Sequence, residues 1–424
     1  MVTIILGHNV LQVVRGLCSS LLLICLYGCI SIEVTEKPKE TQRNILFYIG
    51  ADSNGIDNGS TGDEPKAQLN VIRAGWIPGK GELLIFADQT NRPPCLMRIN
   101  KIKGADGLYG IDTVHVYNEE NSADATVLRR VIDTVVTLYP ADSYGMIFFS
   151  HASGWLPKGM LAHPRSLVID KGEDGIAKEM EYTVFAAAIP DKQFDFLIFE
   201  ACFMADVMTM YELRNKAEYI LASSAEIVSP GFWYIYKKEI MRLFDTRNSI
   251  PAVVSGFGQA YVDCIKNEFP ENNIFCSTTL GLIKMNEMEN LASTVKTLLN
   301  GVKLNESTLT VDNIQRFDRP AYNRLNLIIS GQRKSRYFDF DHVMKNLVSD
   351  SQYALFHTQM QKTVVWKANT QRFLLGDDNG APNYAEYDGF MIEHHSGLTT
   401  YIQQSVYPEL NMAYENSSWY NAIY

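Results

Sequence analysis

The 424-residue sequence lacks the basic surplus that nucleic-acid binding requires. Lys and Arg total 38 against 48 Asp and Glu, a net charge of −10, and no run of residues forms a basic stripe. The sequence also has no phosphate-binding glycine loop, no Cys-x-x-Cys pair, no nucleophile-elbow serine and no internal repeat. We therefore expect no nucleic-acid partner, and we look for chemistry outside the NTPase, zinc-finger and serine-hydrolase classes.

Cysteine is scarce outside the N-terminus. Of seven cysteines, three precede residue 30, which leaves Cys95, Cys202, Cys264 and Cys276 for the fold. Four cysteines are too few to form a disulfide scaffold in a chain of this length. Cys264 and Cys276 lie close enough in sequence to form a disulfide, and unpaired core thiols are the equal alternative.

The first 29 residues have the pattern of an export signal. Residues 1–15 carry one Arg15 and no acid, and 17–27 form an apolar run too short to span a bilayer. The run ends in Gly28-Cys29, which resembles a bacterial lipoprotein signal whose cysteine is lipidated. We therefore expect 1–29 to be a lipoprotein signal peptide, with Cys29 the lipidation site, and polar 30–43 to be a tether. The exported protein would be anchored to the cell envelope, at the outer membrane, or secreted. A plain secretory signal or a membrane anchor is the alternative.

The remaining sequence has the composition of a folded protein, with 46% hydrophobic and 20% charged residues. Apolar strands alternate with helical periodicity, which favours a mostly parallel sheet covered on both faces. The predicted strands are 44–50, 83–88, 113–117, 144–150, 195–200 and 219–223, and the predicted helices are 63–76, 122–139 (capped by Ser122), 182–189 and 204–215. We assign 44–235 to the catalytic core. The C-terminal part, 236–424, contains predicted helices at 235–268, 285–302 and 339–364 and short strands at 390–393 and 399–403, which complete or flank that core.

Two strands end in reactive side chains. His151 follows the strand at 144–150, and Cys202 follows the strand at 195–200. The carboxyl ends of parallel strands lie at one edge of a sheet, where neighbouring strands are about 5 Å apart. A thiolate placed there could attack a carbonyl while the imidazole moves the proton. A buried thiol and a turn histidine are the alternatives for each residue alone. Their shared position and order favour catalysis.

The segments around both residues resemble the clostripain family of cysteine peptidases. The resemblance rests on Ser150-His-Ala-Ser-Gly-Trp155, on Glu200-Ala-Cys-Phe-Met-Ala-Asp206 and on the segment from Tyr219 to Tyr234, with further similarity at 48–54 and 397–401. It implies a caspase-like α/β/α sandwich, related to gingipains, caspases and legumains. The interval of 51 positions between His151 and Cys202 is close to the roughly 50 residues found in caspases.

The resemblance also implies residue roles. Cys202 is the nucleophile, His151 the proton shuttle, and the N–H groups of Ala152 and Cys202 form the oxyanion hole. Glu200, Asp52 and Trp233 contact substrate. The family has glycine where this chain has Ala152, which would be strained if that backbone needs a positive φ. Aspartate is usual where this chain has Glu200, and the loop at 230–234 lacks the family's second acid. Cleavage after Arg or Lys is therefore one expectation, and a narrower or apolar pocket is the other.

The loop at 156–182 is long and polar, and family members can be activated by cleavage there. Arg165, Lys171 and Lys178 are the basic residues available in this loop. The resemblance therefore implies self-processing between the two catalytic residues. An ordinary exposed loop carries basic residues as well, so this loop without processing is the alternative.

No metal site is evident from the residues. His394 and His395 are adjacent, so on a strand they would point to opposite faces. The acidic turns at 52–55 and 377–380 lack the spaced ligands of a calcium loop. We expect no required cofactor. Ca²⁺ enters only through the resemblance, because clostripain and gingipains use it.

Three functions fit these observations. The leading one is a monomeric, lipid-anchored endopeptidase acting on protein or peptide substrates through an acyl-enzyme. The second is a binding or scaffold lipoprotein that kept the fold and lost activity, since Ala152, Glu200 and the loop at 230–234 all depart from the family pattern. The third is a peptide ligase, because an amine can resolve an acyl-enzyme as well as water can.

Overall fold

The computed structural model describes residues 42–50, 64–89, 92–118, 121–158, 169–171, 177–318, 334–375 and 389–424. The predicted signal peptide with Cys29, almost all of the tether, Asp52 and Arg165 lie outside these residues. Among the described residues, no helix is long and apolar enough to cross a membrane.

A nine-stranded sheet forms the centre of the fold, in the order β12-β10-β9-β8-β5-β1-β2-β3-β4. Its strands are β1 (Arg43–Ile49), β2 (Leu83–Gln89), β3 (Arg92–Lys103), β4 (Tyr109–Val116), β5 (Ser143–Phe149), β8 (Phe194–Glu200), β9 (Ala217–Ala222), β10 (Thr279–Lys284) and β12 (Val364–Asn369). The five central strands, β9 to β2 in that order, are parallel, and antiparallel pairs extend the sheet at both edges. The carboxyl ends of the parallel strands therefore share one edge.

Three short antiparallel pairs lie outside this sheet. They are β6 (Ile169–Lys171) with β7 (Ala177–Glu179), β11 (Phe338–Asp339) with β15 (Thr399–Thr400), and β13 (Arg372–Phe373) with β14 (Phe390–Met391). The first pair lies in the predicted processing loop, which is therefore partly ordered as a hairpin rather than irregular throughout.

Helices cover both faces of the sheet, as alternating side chains of the buried central strands require. The helices are α1 (Glu64–Gly75), α2 (Ala125–Leu138), α3 (Tyr182–Ala188), α4 (Val207–Glu212), α5 (Trp233–Glu239), α6 (Ile250–Glu268), α7 (Met288–Leu299), α8 (Phe340–Leu347), α9 (Asp350–Thr363), α10 (Pro408–Glu415) and α11 (Ser418–Ile423). Helices α1, α5 and α6 pack on the face that carries Phe47 and Ile198, and most of the others pack on the face that carries Tyr48 and Phe199. The predicted three-layer α/β/α sandwich is confirmed.

The sequence predicted the bounds of the five parallel strands to within two residues, but it missed most of the antiparallel strands on either side of them. It missed β3, β10 and β12, and it placed the cap of α2 at Ser122. The structure places that cap at Asp124, whose carboxylate accepts the Thr126 N–H at 2.8 Å. Of the missed strands only β12 is a sheet edge, and its partly exposed residues weaken its apolar pattern. The strand β10 is almost wholly buried, and its six residues lie directly before a predicted helix, so the short apolar run gave no separate signal.

Candidate active site

His151 and Cys202 occupy equivalent places on neighbouring strands. In the parallel pair β5–β8, Phe149 lies opposite Glu200, and each reactive residue is the second one after its paired position. The backbone pairing continues one step further, with the Ser150 N–H donating to the Glu200 carbonyl at 3.4 Å. The His151 side chain is exposed, and Cys202 is partly buried. The topology therefore brings both side chains to the same edge of the sheet.

The turn after Cys202 has a strained backbone. Phe203 has φ of +59°, a left-handed conformation that costs a bulky residue about 1–2 kcal/mol. Its N–H donates to the Ala225 carbonyl at 2.9 Å, and its ring stacks on Tyr337 with ring centres 4.5 Å apart. These contacts hold the turn after Cys202 in a shape that the chain would not adopt alone. Such strain is typical of functional turns.

The sulfur of Cys202 faces a backbone donor. The Ile227 N–H points at Sγ with a nitrogen-to-sulfur distance of 3.4 Å. A donor in this position stabilises negative charge on the sulfur, which the thiolate form of a nucleophile carries. Ile227 lies in the loop after β9, the next strand in the sheet beyond β8. A third strand end therefore contributes to the site.

The turn after His151 packs directly on the turn after Cys202. Gly154 has φ of +56°, and a Cβ atom placed on it would lie 2.4 Å from the Phe203 carbonyl oxygen. Only glycine fits this position, because both the backbone conformation and the space exclude a side chain. Ala152 is buried and is not among the residues with positive φ, so the expected strain from alanine is absent.

Tyr337, from the C-terminal part, contacts both turns. Its ring stacks on Phe203, and its hydroxyl donates to the Ser153 carbonyl. The strand β15 adds a second contact, because the Thr399 N–H donates to the Ala205 carbonyl at 2.8 Å. Residues after 236 therefore shape the site as well as extend the sheet.

Glu200 lies beneath this edge and is only 3% exposed. Its Oε1 accepts the Phe232 N–H at 2.6 Å, and its Oε2 accepts the Tyr236 hydroxyl. Burial and the adjacent carboxylate raise the pKa of Tyr236 well above its usual value, so this tyrosine remains a donor at every physiological pH. Gly231 has positive φ and lies so close to Oε1 that a Cβ atom would clash.

The other predicted site residues are more dispersed. Trp233 begins α5, packs edge-on against Tyr234, and has a buried indole N–H without a hydrogen-bond partner. Lys171 ends β6, where it lies opposite Ala177, and Lys178 is exposed in β7. The structure therefore does not bring the candidate processing residues to the Cys202 edge by any described contact.

Metal and disulfide chemistry find no support among the described residues. They contain no group of three or more His, Cys, Asp or Glu side chains arranged to hold a metal ion. These residues therefore offer no fit for Ca²⁺, and no catalytic step is derived through it. Within the same part of the chain Cys264 and Cys276 are free thiols and are not paired with each other.

Three residues that shape the site were absent from the sequence predictions. Ile227, Tyr236 and Tyr337 act through a backbone N–H, a hydroxyl on a helix and a ring from a distant segment. Only Tyr236 could have been suspected from the sequence, since it lies two residues after the loop at 230–234. The other two depend on tertiary contacts that no spacing reveals.

Comparison with known proteins identifies relatives of this fold and site. A profile of the clostripain family matches residues 73–422. Clostripain from Hathewaya histolytica is 27% identical over 222 residues, which span 47% of this chain and 42% of that protein. The match therefore covers less than half the length of that relative.

Solved structures agree over nearly the whole chain. An inactive zymogen C11 protease from Parabacteroides distasonis superposes with a TM-score of 0.69 at 26% identity, covering 91% of this chain and 99% of that one. A secreted C11 cysteine protease from Bacteroides thetaiotaomicron, solved with an irreversible peptide inhibitor, superposes with a TM-score of 0.71 at 23% identity. The superposition covers 90% of this chain and 99% of that one, and at this identity it shows similarity of fold alone. The resemblance found in the sequence is confirmed, and the chain belongs to the clostripain family.

Proposed function

We propose that this chain is a cysteine endopeptidase in which Cys202 is the nucleophile and His151 the proton shuttle. The observation that carries the proposal is their equivalent register on β5 and β8, where Phe149 lies opposite Glu200. Membership of the clostripain family and the Ile227 N–H directed at the sulfur support it.

The chemistry follows the usual two steps of acyl transfer. The Cys202 thiolate attacks the scissile carbonyl carbon, and the negative oxygen that forms is stabilised by the N–H groups of Ala152 and Cys202. Each such donor contributes about 3–4 kcal/mol in other acyl-transfer enzymes. The C–N bond then breaks, and His151 gives its proton to the leaving amine. Water activated by His151 releases the acid from the acyl-enzyme and restores the thiol.

The direct test is covalent capture by an acyloxymethyl-ketone peptide probe. Cys202→Ala and His151→Ala should each abolish labelling and turnover, while Cys95→Ala, at another partly exposed cysteine, should leave both unchanged. A folded protein that does not react with probes carrying arginyl, lysyl or apolar P1 groups would support the scaffold function instead. Accumulation of aminolysis products with an added peptide amine would support the ligase.

A preference for Arg or Lys at P1 is part of the proposal and rests on Glu200. Both of its carboxylate oxygens already accept hydrogen bonds, so it would act on a P1 cation through charge rather than through a new bidentate contact. We expect a modest preference of roughly tenfold over leucine, which corresponds to about 1.4 kcal/mol. A peptide library compared between the wild type and Glu200→Gln measures it, and an unchanged profile contradicts the role of Glu200.

Self-processing between His151 and Cys202 is a further part of the proposal. Arg165 and Lys171 are the candidate cleavage sites, and the family includes a zymogen of known structure. Incubated wild-type protein should be cut, and Cys202→Ala should stay intact. Cutting in both, or in neither, contradicts self-processing, and Arg165→Ala with Lys171→Ala locates the site.

We also propose export and lipid anchoring at Cys29, followed by a tether to residue 43 and a monomeric catalytic domain. The apolar run before Cys29 supports this placement, and one relative is described as secreted. Cys29→Ser should abolish incorporation of a labelled fatty acid in cells. Incorporation that persists in this variant contradicts anchoring at Cys29.

A further inference from the structure

Asp206 is a fully buried acid in the segment that follows Cys202. It caps α4, and its Oδ1 accepts the Thr209 N–H at 2.8 Å. Its backbone also pairs with Thr399 of β15 in an isolated bridge. The residue is therefore fixed through its side chain by the helix cap and through its backbone by β15.

The second carboxyl oxygen, Oδ2, faces the turn that carries His151. A Cβ atom on Gly154 would lie 2.7 Å from Oδ2 and 2.4 Å from the Phe203 carbonyl oxygen. Oδ2 and the Thr209 hydroxyl are both buried, and the hydroxyl lies close enough to the carboxyl to lower its pKa. Asp206 thus packs a buried carboxyl oxygen against the point where the two catalytic turns touch.

Among the described residues, no cation contributes to the pKa of this carboxyl. Burial, followed by the negative charges of Asp206, Glu212 and Glu181, raises the pKa of Tyr182 in α3, so Asp206 lies within electrostatic range of this tyrosine. Burial raises the pKa of Asp206 to about 7, against a weaker opposing effect of the helix-cap hydrogen bonds. The neutral acid and the carboxylate therefore both exist near neutral pH.

The two forms differ in what they do to the contact. A neutral carboxyl can pack against Gly154 and the neighbouring carbonyl of Phe203 without the free-energy cost of a buried charge. A carboxylate in the same place is a fully buried negative charge, and the hydrogen bonds from Thr209 and the helix cap offset only part of its desolvation cost. Separation of the two turns, or entry of water between them, relieves this cost and changes the alignment of His151 with Cys202.

We infer that Asp206 is a positioning residue that, as the neutral acid, holds the turn of His151 against the turn of Cys202 and releases it on losing its proton. The inference rests on the proposed function. The only chemical step is transfer of the carboxyl proton to solvent, and Asp206 itself touches no substrate.

The experiment compares pH profiles of kcat/KM from pH 5 to 9 for the wild type, Asp206→Asn and Asp206→Ala. Asparagine keeps the cap acceptor and stays neutral, so Asp206→Asn should match the wild type at pH 6 and lack its decline of several-fold through pH about 7. Asp206→Ala should lose roughly tenfold or more at every pH. A wild-type decline that Asp206→Asn reproduces overturns the inference.

Asp339→Asn is the matched control. Asp339 is likewise buried, caps α8 through the His342 N–H at 2.9 Å, and has a pKa raised by burial, but its carboxyl accepts the Ser396 N–H instead of packing on Gly154. Its profile should keep the wild-type transition. A loss of that transition in Asp339→Asn would contradict a specific role for Asp206.

A second measurement separates this inference from the proposed function. If folded wild-type protein turns over no peptide, the rate of Cys202 alkylation by iodoacetamide is followed against pH, with the labelled peptide identified by mass spectrometry. A wild-type profile that differs from Asp206→Asn through pH about 7 supports coupling of Asp206 to the Cys202 turn even without peptidase activity. Parallel profiles overturn it.

Discussion

Tyr236 donates its hydroxyl hydrogen to Glu200 at the foot of the candidate site, in a position closed to solvent. The tyrosine belongs to α5 and the acid ends β8, so the bond links the helical layer to the strand that precedes Cys202. Glu200 is one methylene longer than the aspartate that is usual at this position in the clostripain family. That extra length places its carboxylate within reach of both the Phe232 N–H and this hydroxyl.

Replacement of Tyr236 by Phe should therefore destabilise the protein by about 1.5–3 kcal/mol, the range for losing a hydrogen bond to a buried charged group. Urea unfolding measures it. Tyr414→Phe is the control, because its buried hydroxyl has no partner and its loss should be nearly neutral. Equal effects in both variants would show that the hydroxyl of Tyr236 adds nothing specific.

Tyr236 and Glu200 also show which parts of the site could be predicted from the sequence and which could not. The apolar runs ending at Ser150 and Glu200 predicted two parallel strands, and that prediction located His151 and Cys202 at one edge. The hydrogen-bond partners of Glu200 could not be predicted from the sequence. Tyr236 contacts it from the helical layer on one face of the sheet, and the Phe232 N–H is a backbone group that every residue except proline has. Likewise Tyr337 contacts the His151 turn from a distant part of the chain. Local periodicity predicts elements, whereas such contacts arise only when the elements pack.

Gly154→Ala should disable the site with limited loss of stability elsewhere. The methyl group would overlap the Phe203 carbonyl oxygen, and the left-handed backbone would add about 1–2 kcal/mol of strain. Since misplacement of catalytic groups by 1 Å can cost about a hundredfold, we expect kcat/KM to fall by roughly that factor. Peptide turnover measures the change.

Gly107→Ala is its matched control. Gly107 also has positive φ, at 77°, but a Cβ atom there would meet nothing within 4 Å. This variant should carry the strain alone and keep wild-type activity. A comparable drop in activity for both variants would indicate that general destabilisation, not the contact between the turns, governs the rate.

Glu306 should make stability depend on pH in the acid range. Lys334 and the Ser405 hydroxyl and N–H lower its pKa to about 2, below the usual 4.5. A depressed pKa stabilises the fold above pH 4.5, and this contribution is lost as the pH falls towards 2. Because both side chains are partly exposed, screening limits the contribution to about 1 kcal/mol. The free energies of unfolding of the wild type and Glu306→Gln should differ by this amount at pH 6 and converge near pH 2. A difference that persists or grows on acidification would contradict the assignment.

Removal of divalent metal should leave activity intact. The proposed mechanism uses a thiol, an imidazole and backbone N–H groups, and none of its steps involves a bound ion. Dialysis against EDTA followed by peptide turnover, with and without added Ca²⁺, measures the dependence. The thermal midpoint recorded on the same samples separates a structural effect from a catalytic one. A fall in turnover that Ca²⁺ restores while the midpoint stays constant would show that an ion takes part in the reaction, and the mechanism built on Cys202 and His151 alone would then be incomplete.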